Sequence, residues 1–198
     1  MRTLFLTAIA AVTVATPALA QDKAPFTGPR AEAIVGYDVV KDGHHSNRSD
    51  GVTYGGALGY DINTGGLVVG AEAELTDSSA KNRALGAFVS NDGFVVGAGR
   101  DIYVGGRIGT TLTPNTLLYA KAGYTNGRFD TDYSAPGGSR VQGHQTKDGY
   151  RLGAGVEEKL GSNLYAKAEY RYSKYDKLTG YDARVERHQV VAGVGLRF

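Results

Sequence analysis

The chain has 198 residues, with 22 Lys and Arg against 20 Asp and Glu, no Cys and no Trp. Its charges are spread throughout, which leaves no basic stripe or stacking platform for nucleic acid, and the lack of Cys removes disulfides and thiolate metal sites. Mean hydropathy is negative, and no segment approaches the ~20 apolar residues that a spanning helix needs, so a helical membrane protein is excluded.

At the N-terminus, Arg2 precedes an apolar run from Leu4 to Val14, and Pro17-Ala18-Leu19-Ala20 then offers an A-x-A cleavage site before the polar Gln21-Asp22-Lys23. This pattern is a secretory signal peptide over 1–20. A short periplasmic N-terminal segment is expected over 21–30, and one domain over 31–198.

Within that domain eight segments alternate apolar and polar residues with period two. The first, about Ala31 to Val40, turns Glu32 and Asp38 to one face and Ala33, Val35 and Tyr37 to the other. The second, about Val52 to Asp61, opposes Tyr54, Leu58 and Tyr60 to small residues. The third, about Leu67 to Leu75, carries Glu72 and Glu74 on its polar face. The fourth (Asp101 to Leu112) carries Arg107, the fifth (Thr116 to Phe129) Lys121, and the sixth (Tyr150 to Leu160) Arg151, Glu157 and Lys159. The seventh, Leu164 to Tyr175, carries Lys167, Glu169 and Arg171. The eighth ends the chain: Val190, Ala192, Val194, Leu196 and Phe198 form its apolar face and Gln189, Gly193, Gly195 and Arg197 its other face, with Arg187 just before it. Each segment is long enough to cross a hydrocarbon layer when tilted.

The connections alternate in length. Ile62 to Gly66, Thr113 to Asn115 and Gly161 to Asn163 are tight turns of residues that accept turn dihedrals, whereas 41–51, 76–100, 130–149 and 176–184 are longer and richer in charge. Short periplasmic turns and long outer loops are the expected asymmetry, which places both termini in the periplasm. Ala84 to Val89 and Phe94 to Gly99, around Ser90-Asn91-Asp92-Gly93, read as a hairpin rising above the membrane. The expected fold is therefore all-β, an eight-stranded antiparallel up-and-down transmembrane β-barrel.

The alternation, the signal peptide and the terminal Phe198 together resemble the small outer-membrane proteins of Gram-negative bacteria, the opacity-like and OmpA-like transmembrane barrel family. Asp101 to Gly109 and Thr113 to Tyr124 are similar to stretches of porin-like barrel proteins of alphaproteobacteria. The resemblance implies outer-membrane residence among lipid and lipopolysaccharide, and a terminal Phe198 read by the barrel-insertion machinery as a signal. It leaves activity open, because family members are adhesins, anchors, small pores or unassigned.

An eight-stranded barrel has an interior just wide enough to be filled by side chains. Glu32, Asp38, Glu72, Glu74, Glu157 and Glu169 and the bases Arg107, Lys121, Arg151, Lys159, Lys167, Arg171, Arg187 and Arg197 should meet there as a charge network, with Glu72 and Glu74 facing Arg107, Lys121 or Arg171. Tyr60, Phe198 and Tyr119 near the turns, and Tyr37, Tyr124, Phe129, Tyr150, Tyr170 and Tyr172 near the loops, read as outward interface girdles. His44-His45-Ser46-Asn47 matches the His-x-Ser-Asn lettering of lipid-A deacylases but sits in a loop without the matching Glu. His144 and His188 are isolated, and no metal or cofactor is expected. The expected protein is a non-enzymatic monomer with a structural or surface-interaction role, its outer loops meeting an unidentified ligand. A narrow low-conductance pore is the alternative, and a lipid-A-modifying barrel enzyme is third.

Overall fold

A computed structural model describes residues 24–42, 48–85, 93–134, 140–176 and 185–198. Nine strands are present among them: β1 (Gly28–Asp42), β2 (Arg48–Asn63), β3 (Leu67–Ser78), β4 (Lys81–Leu85), β5 (Gly93–Thr111), β6 (Thr116–Ser134), β7 (Arg140–Lys159), β8 (Leu164–Tyr175) and β9 (Val185–Arg197). All pairings are antiparallel. Sequential neighbours pair from β1 to β3 and from β5 to β9; β1 pairs β9 and β3 pairs β5, which closes an eight-stranded ring with β4 appended at β5.

Period-two alternation dictates what each face of the wall holds. Outward positions such as Val35, Leu58, Val69, Val104, Ile108, Leu152 and Val194 are exposed, while their inward neighbours are buried. From Tyr150 on β7 to Leu160 just past its end the outward side chains are apolar apart from Glu158, over roughly 34 Å of chain at about 3.4 Å per residue. Tilted by ~40°, that spans the ~25 Å band of an outer-membrane barrel.

Several strands are longer than the alternation indicates. β1 starts at Gly28, so Gly28–Arg30 lie in the wall. The φ of Gly28 is +120°, and a Cβ there would stand 2.1 Å from the carbonyl oxygen of Phe198, so only glycine fits where the two chain ends meet. The apolar piece from Phe94 is the upper part of β5 and pairs antiparallel with β4, Phe94 against Ala84, as the expected hairpin does. No turn forms at Arg100-Asp101, and a register shift between Ala98 and Asp101 absorbs the irregularity instead. The partner arm, β4 at Lys81–Leu85, starts three residues before the expected Ala84. β6 and β7 remain paired from Asn126↔Asp148 to Ser134↔Arg140, so β4 to β7 rise as a ledge on one side of the barrel.

The opposite end is plugged. Phe26 is 1% exposed, packs with Val68, Leu117 and Tyr119, and sits at φ +65°. Asn63 holds this segment, donating its backbone N–H to Thr27 Oγ1 at 3.0 Å and its Nδ2 to the Pro25 carbonyl at 2.7 Å.

Candidate functional site: the charged lumen

Among the described residues the lumen holds eight buried acids, Glu32, Asp38, Asp61, Glu72, Glu74, Asp101, Glu157 and Glu169, and eight buried bases, Arg30, Arg107, Lys121, Arg151, Lys167, Arg171, Arg187 and Arg197. Unpaired, each buried charge would cost several kcal/mol. Equal numbers of the two signs let every charge find a partner.

Near the tight turns, Asp61 is the hub. It accepts from Arg30 Nε (3.0 Å), from Arg107 Nε and Nη2 (2.7 and 2.5 Å) and from Arg197 Nη1 (2.6 Å). Glu157 lies beside it, taking Arg107 Nη1 at 3.0 Å and Arg197 Nη2 at 2.6 Å. Arg197 also donates to the Phe26 carbonyl, which ties the plug to the network.

At mid-height Lys121 binds three carboxylates, Glu72 (2.7 Å), Glu74 (2.6 Å) and Glu169 (2.9 Å). Glu72 also accepts from Arg30, and Glu74 from Arg171 Nη2 at 2.9 Å and Arg151 Nη1 at 3.2 Å. Glu32 takes Lys167 and the Tyr165 hydroxyl, and Glu169 takes Arg171 and the Tyr119 hydroxyl. Carboxylate oxygens of Glu32, Glu72 and Glu74 lie within 4.8 Å of one another. Arg30, Lys121, Arg151, Lys167 and Arg171 are the cations they meet.

Toward the loops Asp101 accepts from Arg151 Nη2 (2.6 Å), Arg187 Nη1 (2.9 Å), Thr125 Oγ1 (2.5 Å) and the Tyr175 hydroxyl. Asp38 accepts from Arg187 Nε at 2.8 Å and from Ser78 Oγ at 2.5 Å. Inward tyrosines fill the space between the ions by lying over inward glycines of adjacent positions, Tyr103 over Gly105 and Gly123, Tyr119 over Gly155 and Tyr165 over Gly195. The Tyr103 ring also faces Lys121 Nζ at 4.7 Å and the Arg151 guanidinium at 5.2 Å, a cation–π arrangement.

Of the fourteen charged residues that alternation turns inward, all but Lys159 are brought together here. Arg107 pairs with Asp61 and Glu157 and not with Glu72 or Glu74, because the register sets it nearer the turns. Lys159 is half-buried at the turn-end mouth, beside the plug. Arg30, Asp61 and Asp101 were missed, although Asp61 and Asp101 end their expected segments and Arg30 lies one residue before Ala31, so period two carried to the strand ends reaches all three. Tyr119 and Phe129 are not girdle residues: both point inward and are 3% exposed, in phase with Lys121. Tyr37, Tyr54, Tyr60, Tyr124, Tyr150, Tyr170 and Phe198 are outward. His188 Nδ1 lies 2.7 Å from the Tyr170 hydroxyl and His144 is exposed on β7. His44-His45-Ser46-Asn47 lies outside the described residues.

The family model for the outer membrane protein beta-barrel domain matches residues 6–198. A 22 kDa outer membrane protein of Rhizobium leguminosarum bv. viciae is 32% identical over 76% of this chain and 70% of its own length. A 25 kDa outer-membrane immunogenic protein of Brucella canis is 27% identical over 73% of this chain, and the match spans 64% of that protein. Among solved structures, Neisserial surface protein A superposes with a TM-score of 0.60 at 18% identity, covering 87% of this chain and 98% of that one. Ail of Yersinia pestis, in complex with the heparin analogue sucrose octasulfate, gives 0.50 at 18% identity, over 85% of this chain and 99% of that one. At such identities these two structures report the fold.

Proposed function

The chain belongs to the outer membrane β-barrel domain family and resides in the outer membrane of Gram-negative bacteria, and from that premise we propose a non-catalytic, non-conducting role. The barrel is a rigid monomeric mount that strengthens the envelope and presents its β4–β7 ledge to surface ligands. The observation that carries this reading is the filled lumen: eight acids and eight bases are bonded to one another, and Phe26 stops the turn end. Carboxylates so engaged are poor bases or nucleophiles, since each already accepts from a neighbouring cation.

In this reading residues 1–20 are the export signal, the tight turns and both termini face the periplasm, and Phe198 serves the insertion machinery. Wall residues meet lipid and lipopolysaccharide, and specificity resides in the ledge and loops, the parts a scaffold of this kind varies.

The test is complementation of a deletion strain with the full chain or with a variant whose 128–146 segment is replaced by an Asn-Gly turn joining the paired Gly127 and Lys147. The trimmed barrel should restore envelope resistance to detergent but not surface attachment. Restoration of attachment by the trimmed barrel would remove the ledge from the account. Loss of small-solute uptake in the deletion strain would favour a pore.

A further inference from the structure

The eight acids and eight bases of the lumen cancel, and Lys159, half-buried at the turn-end mouth, adds one positive charge to them. Among the described residues no carboxylate pairs with it. Lys159 stands at the rim of a cavity of about 230 Å³ between the plug and the wall, lined also by Phe26, Leu164, Tyr165, Arg197 and Phe198.

Arg197 points to a ligand independently. Its guanidinium lies against two rings, 5.9 Å from the centroid of Phe26 and 5.5 Å from that of Tyr165. Nη1 donates to Asp61 and to the Phe26 carbonyl, and Nη2 donates to Glu157. Nε is buried without a hydrogen-bond partner, in a residue only 8% exposed. A buried donor left without an acceptor is costly. With both Nη groups committed to the hub, the Nε–H is the donor that the cavity can satisfy.

We infer that this cavity binds a small apolar carboxylate, such as the C-terminal residue of a peptide or a short-chain acid. One carboxylate oxygen accepts from Arg197 Nε and the other meets the Lys159 ammonium, while the apolar substituent lies against Phe26, Leu164 and Phe198. A single negative charge matches the single surplus cation. A dianion would set a second negative charge toward Asp61 and Glu157, which stand behind Arg197. In the proposed orientation the mouth opens to the periplasm, but the chemistry of the site is the same for either orientation of the barrel.

The test is a titration of the full chain, folded in detergent, with hexanoate, N-acetylleucine, hexanamide and sulfate. Binding is read from the NMR signal of the Arg197 Nε–H, identified by its loss in Arg197→Lys; should that variant not fold, the Leu164 methyl signals, identified through Leu164→Ile, serve instead. At least one of the two carboxylates should give a saturable shift, hexanamide none, and sulfate a weaker one; the tighter carboxylate tells an acyl from a peptide source. An exposed ion pair is worth about two- to fivefold in affinity, so Lys159→Gln should weaken carboxylate binding by that factor. Lys174→Gln at the loop end should leave it unchanged. No saturable shift with either carboxylate, an equal response to hexanamide, tighter binding of sulfate, or undiminished affinity in Lys159→Gln would each overturn the assignment.

Discussion

Asp61 is the residue whose removal should hurt most for its size. It accepts four hydrogen bonds from three guanidiniums, and its side chain is fully buried. Asp61→Ala leaves Arg107 and Arg197 sharing Glu157, and Arg30 with Glu72 and Glu32. Breaking a buried ion pair from one side costs about 3–5 kcal/mol. Each arginine keeps another carboxylate, so the loss should fall near the lower limit, about 3 kcal/mol. Arg107→Ala alone strands charge on Asp61 and Glu157 in the same way. Because the two residues share bonds, the double variant should be less destabilised than the sum of the singles by about 1–3 kcal/mol. Reversible urea unfolding in lipid vesicles measures this, followed by tyrosine emission and by the mobility of the folded band on gels. A change below about 0.5 kcal/mol for Asp61→Ala, the size of an ordinary surface substitution, would refute the claim that the lumen is a network of mutually paired charges.

Three further outcomes follow from the same geometry. Gly105→Ala should destabilise by about 1–3 kcal/mol in the same unfolding assay, because its Cβ would lie 2.1 Å from the Tyr103 hydroxyl oxygen and 2.5 Å from the Ala122 carbonyl, whereas Gly106→Ala, facing lipid with its nearest neighbour at 3.7 Å, should be close to neutral. Asp148, at the loop rim, accepts from the Tyr124 hydroxyl at 2.5 Å and Asn126 Nδ2 at 2.7 Å, and these bonds hold its carboxyl below the usual carboxylate range. The stabilisation is therefore present above the unfolded pKa of about 3.9 and lost as pH falls through the folded value; a carboxyl NMR titration should show the low midpoint, and Tyr124→Phe should raise it. Deleting Phe198, whose N–H bonds the Pro29 carbonyl at 2.9 Å across the seam, should lower the folded amount in the outer membrane far more than Val141→Ala on the exposed ledge, as read from membrane fractions.

Much of the fold was legible because a membrane wall obeys one strict rule. Lipid on one side and ions on the other force period two, and even the short turns at 63–67, 111–116 and 159–164 stand where turn residues cluster. The same parity, carried to the strand ends, would have found Arg30, Asp61, Asp101 and Phe129. Pairing across the lumen was not legible: Glu72 meets Arg30 from β1 and Lys121 from β6, a choice set by the relative height of three strands and not by any local pattern. The glycines and tyrosines carried a signal that composition alone hides, since an inward tyrosine needs an inward glycine to lie on. β5 misled because its apolar pieces are joined through a register shift, which leaves no turn residues as a mark.

Single-channel recording of the purified protein in a planar bilayer bears most directly on the filled lumen. The account expects a flat baseline for the unaltered barrel, and the same for Phe26→Ala, because the layer of Asp61, Glu157 and their arginines lies behind the plug. Regular conductance steps from the unaltered protein, altered in size by Glu72→Ala without loss of stability, would show that the charges line a water path and would contradict the account.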